Sequence, residues 1–123
     1  MDEFPPEMPT DCPLPGAVPC DCVVYRGCAT SPPQETDFAT HAELGRALTA
    51  KGANACKRFG LSVFPTKEAC EHMLELLPQN GTYVAKGALV HGHGVILDTP
   101  SSNHPKHRTW WPCKDIKRSA PFV

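Results

Sequence analysis

Long apolar runs are missing from this 123-residue chain: stretches such as Gly94-Val95-Ile96-Leu97 are too short to cross a bilayer, which excludes a membrane-spanning helix. An excess of either charge is missing too. Twelve Lys and Arg face thirteen Asp and Glu, which excludes a strongly basic nucleic-acid coat and an acidic tail protein. The first twenty residues hold no basic start and no apolar core segment, only four acids, so no secretory signal is expected and the cytosol is the expected compartment. No Cys-x-x-Cys pair occurs among the seven cysteines, and their number is odd. Both facts weaken a zinc or dithiol reading.

What remains is one domain's worth of chain with 41% hydrophobic residues, enough to build a core. Its composition is uneven. Eight of fourteen prolines fall within residues 1–33, and residues 1–22 carry five acids without a single Lys or Arg. Such a segment suits neither a helix interior nor a central strand. Residues 1–21 are therefore expected to be a flexible, proline-rich arm ahead of a single domain over 22–123. Residues 104–118 hold Lys106, Arg108, Lys114, Lys117 and Arg118 against Asp115. The acidic arm has an electrostatic partner there if it lies across that stretch.

Cys22-Val23-Val24-Tyr25-Arg26 is β-branched and aromatic and reads as a strand ended by Gly27. Thr40-His41-Ala42-Glu43 is a capping box, which predicts a helix over 41–51 stopped by Gly52. Alternation over Phe59–Phe64 predicts a strand with one polar position, Ser62. Thr66 should cap a second helix running to Leu77, with Ala69, Cys70, Met73, Leu74 and Leu77 as its apolar stripe. Strands follow at 83–90 and 95–97. The order predicts an α+β fold: a small, mainly antiparallel sheet, two helices and the proline-rich arm. Cys12, Cys20, Cys22 and Cys28 cluster without a usual zinc spacing, so reduced thiols acting as small apolar side chains are expected.

Two groups of residues carry candidate chemistry. His91, His93, His104 and His107 concentrate four of the six histidines, and an extended 90–93 would aim His91 and His93 to one side, as metal ligands require. Surface histidines without metal are the alternative, since no specific motif is matched. Lys106-His107-Arg108-Thr109-Trp110-Trp111 interleaves cations with indoles, a pattern that stacks on bases and neutralises phosphate. Adjacent residues of a strand point to opposite faces, so only one tryptophan can offer a platform. Both could equally be packing elements of a small core.

Four stretches, VYRG (24–27), DFATHAELGR (37–46), GLSVF (60–64) and HRTWW (107–111), together resemble a family of small bacterial proteins with no established activity. The resemblance covers roughly residues 22–120 and implies a bacterial cytoplasmic protein of one domain. A looser likeness is to ADP-ribosyltransferase-like folds. It implies that Arg26 clamps the phosphate or ribose of NAD and that Ser62 supports the nicotinamide-ribose site. Such folds also use a late glutamate, whereas the last glutamate here is Glu75, leaving Asp98 or His107 as substitutes.

Three functions follow as expectations. The first is a binding module whose cleft joins Arg26, Ser62, Arg108 and Trp110 around an anionic or nucleotide-like partner. The second is an NAD-consuming enzyme or toxin with Arg26, Ser62 and His107 as catalytic candidates. The third is a zinc-stabilised domain using the clustered histidines or early cysteines.

Overall fold

Val23, Val24 and Tyr25 favour extended backbone, and the segment runs as strand β1, Cys22–Cys28. It pairs antiparallel with β3, Tyr83–Leu89, over its full length, from Cys22 opposite Leu89 to Cys28 opposite Tyr83. A second sheet places β5, Arg108–Pro112, between β2, Leu61–Val63, and β4, Gly94–Asp98, all antiparallel. Reciprocal backbone bonds of 2.8 Å between Tyr25 and Phe64 join the two sheets. The computed structural model, which describes residues 3–123, is thus an α+β fold with small antiparallel sheets.

Helix α2, Lys67–Leu76, forms where expected. The Thr66 hydroxyl accepts from the Ala69 N–H at 3.1 Å, satisfying one of the orphan donors of the first turn. Cys70 and Met73 are buried, and with Ala69, Leu74 and Leu77 they pack on Phe64, Tyr25 and Val84. The main core lies on the other side of the sheets. It gathers Val24, Phe38, Leu61, Val63, Ala85, Ile96, Trp110 and Phe122, with the Phe122 ring 4.8 Å from Phe38 and 5.8 Å from Trp110.

The helix expected over 41–51 does not form. Its capping box does: the Glu43 N–H donates to the Thr40 hydroxyl at 3.2 Å, and the Glu43 carboxylate accepts the Thr40 N–H at 2.8 Å. One turn follows and then closes, with Gly45 N–H on the Ala42 carbonyl and Arg46 N–H on the His41 carbonyl. Gly45 stands at φ +69°, the left-handed region where a helix ends. The stop signal is therefore Gly45 and not Gly52, and the first regular helix is the short α1, Ala53–Lys57.

Two disulfides correct the expectation of reduced thiols: Cys12 joins Cys56, and Cys20 joins Cys22. The first ties the N-terminal segment to α1. That segment also bridges the free edge of β4 through Val18 and Ile96, and Glu3 meets Lys114 at 3.0 Å. Cys28 and Cys70 do behave as small apolar groups: burial pushes the thiols up to about 11 and about 12, leaving them protonated. No helix among the described residues is long and apolar enough to cross a membrane.

Candidate functional site

Strand alternation decides which side chains of the β2–β5 pair can meet a ligand. Ser62 lies directly opposite Thr109, and His107 stands two residues earlier on the same face. Leu61 and Trp110, one position along, face the core. On the Ser62 side the sheet forms the wall of a cavity of about 560 Å³, closed by β1, α1 and the turns of 37–50. Arg26, Ser62 and His107 all line it, although 36 residues separate the first two and 45 the last two.

Arg26 is held in place by backbone. Its Nη1 donates to the Ser62 carbonyl at 2.8 Å, while Nε and Nη2 both donate to the Asp37 carbonyl, at 3.2 and 2.9 Å. The guanidinium lies 5.5 Å from the Phe38 ring centroid, a cation–π distance. Burial lowers its proton affinity, opposed by Cys28 and Asp37, yet a guanidinium remains charged at neutral pH. A guanidinium has five N–H donors, and three of them bond these backbone carbonyls.

The neighbouring carboxylate is not available in the same way. Asp37 accepts from the Ala29 and Gln34 N–H groups, each at 2.9 Å, and from the Thr30 hydroxyl. Burial alone would raise the Asp37 carboxyl, but these bonds and Arg26 outweigh it and hold the group below its usual range.

His107 is fixed by Thr99. Its Nδ1 lies 3.0 Å from the Thr99 carbonyl, which can only accept, so the ring proton is assigned to Nδ1. Nε2 is then an acceptor, and the Ser62 hydroxyl donates to it at 2.8 Å. Burial, followed by the electrostatic influence of His104 and Lys57, lowers the imidazole below its ordinary value despite the Thr99 carbonyl bond. His107 is accordingly neutral at pH 7.

The charge of the cavity comes from residues outside the sequence-derived candidates. Arg46, Lys57 and Arg58 join Arg26 on its wall, so among the described lining residues four cationic side chains stand against one carboxylate, Asp37. His41 lines it as well. Its imidazole is pulled down by partial burial and then by Arg46, Arg26 and Arg58. Arg58 bonds the Arg46 carbonyl at 3.1 Å and stacks against Phe59. Nothing local in the sequence marks Lys57 and Arg58 as converging with Arg26.

Other expected site residues lie elsewhere. Trp110 is 1% exposed and Trp111 is fully buried, their indole N–H groups donating to the His93 and Cys56 carbonyls. Neither offers a face to a base, because core covers one side of β5 and the α1 region covers the other. Arg108 points away from the cavity with the parity of Trp110 and pairs with Asp98 at 2.8 Å. The four histidines of 91–107 do not gather. His93 Nδ1 accepts the Val90 N–H at 3.0 Å, and His104 sits edge-on to His72 with centroids 6.4 Å apart. Among the described residues no three His, Cys, Asp or Glu side chains come together as a metal ion requires.

No family model, curated protein or solved structure matches the chain.

Proposed function

We propose that the cavity binds a small anionic, nucleotide-like ligand. The observation that carries this reading is the excess of four cationic side chains over one hydrogen-bonded carboxylate in a space of about 560 Å³. Such a volume suits a nucleotide-sized molecule. Arg26, pre-positioned by three backbone bonds, loses little freedom on meeting a phosphate. Lys57 and Arg46 add further positive charge to the cavity wall.

Isothermal titration with ADP, NAD and inorganic phosphate tests the reading. Removing one ligand-facing cation by Lys57→Ala or Arg46→Ala should weaken the best ligand roughly tenfold, the loss expected for one charged hydrogen bond. Arg108→Ala, outside the cavity, should leave affinity unchanged. Absence of binding by all three probes at millimolar concentration removes the proposal.

A second reading is an NAD-consuming, ADP-ribosyltransferase-like enzyme. It is favoured by the direct bond between Arg26 and the Ser62 backbone, the two positions that the likeness assigns to NAD. No glutamate lines the cavity, and Asp98 is committed to Arg108, so His107 is the group left beside Ser62. Release of nicotinamide from NAD by the purified protein is the test. A cytoplasmic setting, implied by the bacterial resemblance, belongs to the same proposal and would hold Cys12, Cys20, Cys22 and Cys56 under reducing conditions.

A further inference from the structure

We propose that Ser62 is a nucleophile activated by His107, and that the cavity cleaves small carboxylic esters carrying a phosphate or carboxylate group. The inference rests on the reading of the cavity as an anion-binding cleft and adds a reaction to it. Three features of the structure converge on it. The Ser62 hydroxyl is exposed to the cavity and donates to His107 Nε2 at 2.8 Å, the reach of a nucleophile–base pair. The Thr99 carbonyl holds the Nδ1–H at 3.0 Å, which keeps the acceptor nitrogen turned to the serine. The Thr99 hydroxyl, 2.8 Å from both His107 Nδ1 and the Thr109 hydroxyl, makes Thr99 a positioning residue for the ring.

The chemistry balances with these groups alone. Ser62 Oγ forms a bond to the ester carbonyl carbon as its proton passes to His107 Nε2. Collapse of the oxyanion breaks the bond to the alkoxide, which leaves with that proton as the free alcohol. Water then attacks the acyl-serine, giving its proton to His107. Collapse releases the acid and returns the proton to Ser62. Arg26, whose Nη1 reaches the Ser62 carbonyl, lines the same cavity and contributes positive charge toward the developing oxyanion. The surrounding cations hold the anionic group of the substrate.

Neutral His107 is the active form. Burial, with the electrostatic influence of His104 and Lys57, lowers its pKa, so the base stays competent at pH values where an ordinary imidazole is half protonated.

The test uses a fluorophosphonate probe on the intact protein, with phosphate binding measured in parallel. Attack by Ser62 displaces fluoride and leaves a phosphonyl group on Oγ. Peptide mass spectrometry should find the adduct on Ser62, with a labelling rate that rises with pH and reaches its plateau below the ordinary imidazole value of about 6.5. His107→Gln should slow labelling by about 100-fold or more, and Ser62→Ala, at an exposed position, should abolish it. Labelling undiminished in His107→Gln overturns the role of the base. Phosphate binding with no adduct on Ser62 overturns the nucleophile and leaves the anion cleft standing. An adduct on Ser62 without phosphate binding supports the nucleophile and overturns the cleft.

Discussion

Arg118, five residues from the C-terminal Val123, grips Glu43 with both guanidinium nitrogens, Nη1 to Oε1 at 2.6 Å and Nη2 to Oε2 at 3.0 Å. The same carboxylate closes the capping box with Thr40, and the same Nη1 donates to the Phe38 carbonyl at 2.7 Å. One ion pair therefore pins the wall of the cavity to the end of the chain. Arg118→Ala should lower stability by about 1–2 kcal/mol, a charged hydrogen-bond value discounted because half of Glu43 is exposed. Urea unfolding measures it. An unchanged midpoint would mean that the 40–45 turn stands without this clasp.

Acid should destabilise the protein in two stages. His41 and His107 have lowered pKa values when folded, chiefly through burial. The unfolded chain therefore takes up more protons than the folded one from about pH 6.5 downward, and stability falls over that range. Glu35, Asp37 and Glu43 form the second stage. Burial raises each carboxyl, but hydrogen bonds and Arg118 or Arg26 outweigh it and depress all three. Their contribution is complete above the unfolded values near 4 and disappears as pH falls through the folded ones. Urea midpoints at pH 7.5, 5.5 and 3.5 should descend at each step. A flat profile between 7.5 and 5.5 contradicts the histidine assignment.

Two neighbouring glycines should respond differently to alanine. Gly92 has φ +101° with open space around a prospective Cβ, so Gly92→Ala costs only the backbone, about 1–2 kcal/mol. Gly94 has φ +123°, and a Cβ there would lie 2.1 Å from the Trp111 carbonyl oxygen, within the β4–β5 pairing. Gly94→Ala should cost about 3 kcal/mol or more, or prevent folding, as strain and overpacking add. Equal effects in thermal unfolding would contradict the close approach.

The Cys12–Cys56 bond spans 44 residues. Chain entropy for a loop of that length gives about 4 kcal/mol, and measured effects of removing such bonds are typically about 2–4 kcal/mol. Cys12→Ser with Cys56→Ser should lose stability in that range. Because Cys56 precedes Lys57 and Arg58 and its carbonyl anchors the Trp111 indole, phosphate affinity should weaken as well. Titration of the double variant beside the unmodified protein reads both effects.

Much of the local structure was legible because its causes are local. Thr66 capped α2 and its apolar stripe packed as the spacing implied. The β1, β2, β3 and β4 segments carried alternation or β-branched residues, whereas β5 stood out in the sequence only for its cations and indoles. The helix over 41–51 failed on a local detail as well: Gly45 ended the turn one residue after Leu44, before propagation could offset the cost of starting a helix. The choice of Trp110 as a platform failed for another reason. Alternation separated the two indoles, but whether a face meets solvent depends on what covers it, and both faces of β5 are covered. Lys57 and Arg58 were missed because a lone cation in the sequence looks the same whether it faces water or a cavity.

The amino-acid order by itself determined the α2 cap and stripe, the extended segments and the acid-poor C-terminal third, since each depends on neighbours a few residues away. The pairing of strands was decided only in three dimensions, and with it the meeting of Arg26 with the Ser62 backbone, of Ser62 with His107, and of four cations in one hollow. Burial of the common core selects that register, and its energy sums over side chains from the whole chain, so no local window of residues contains it.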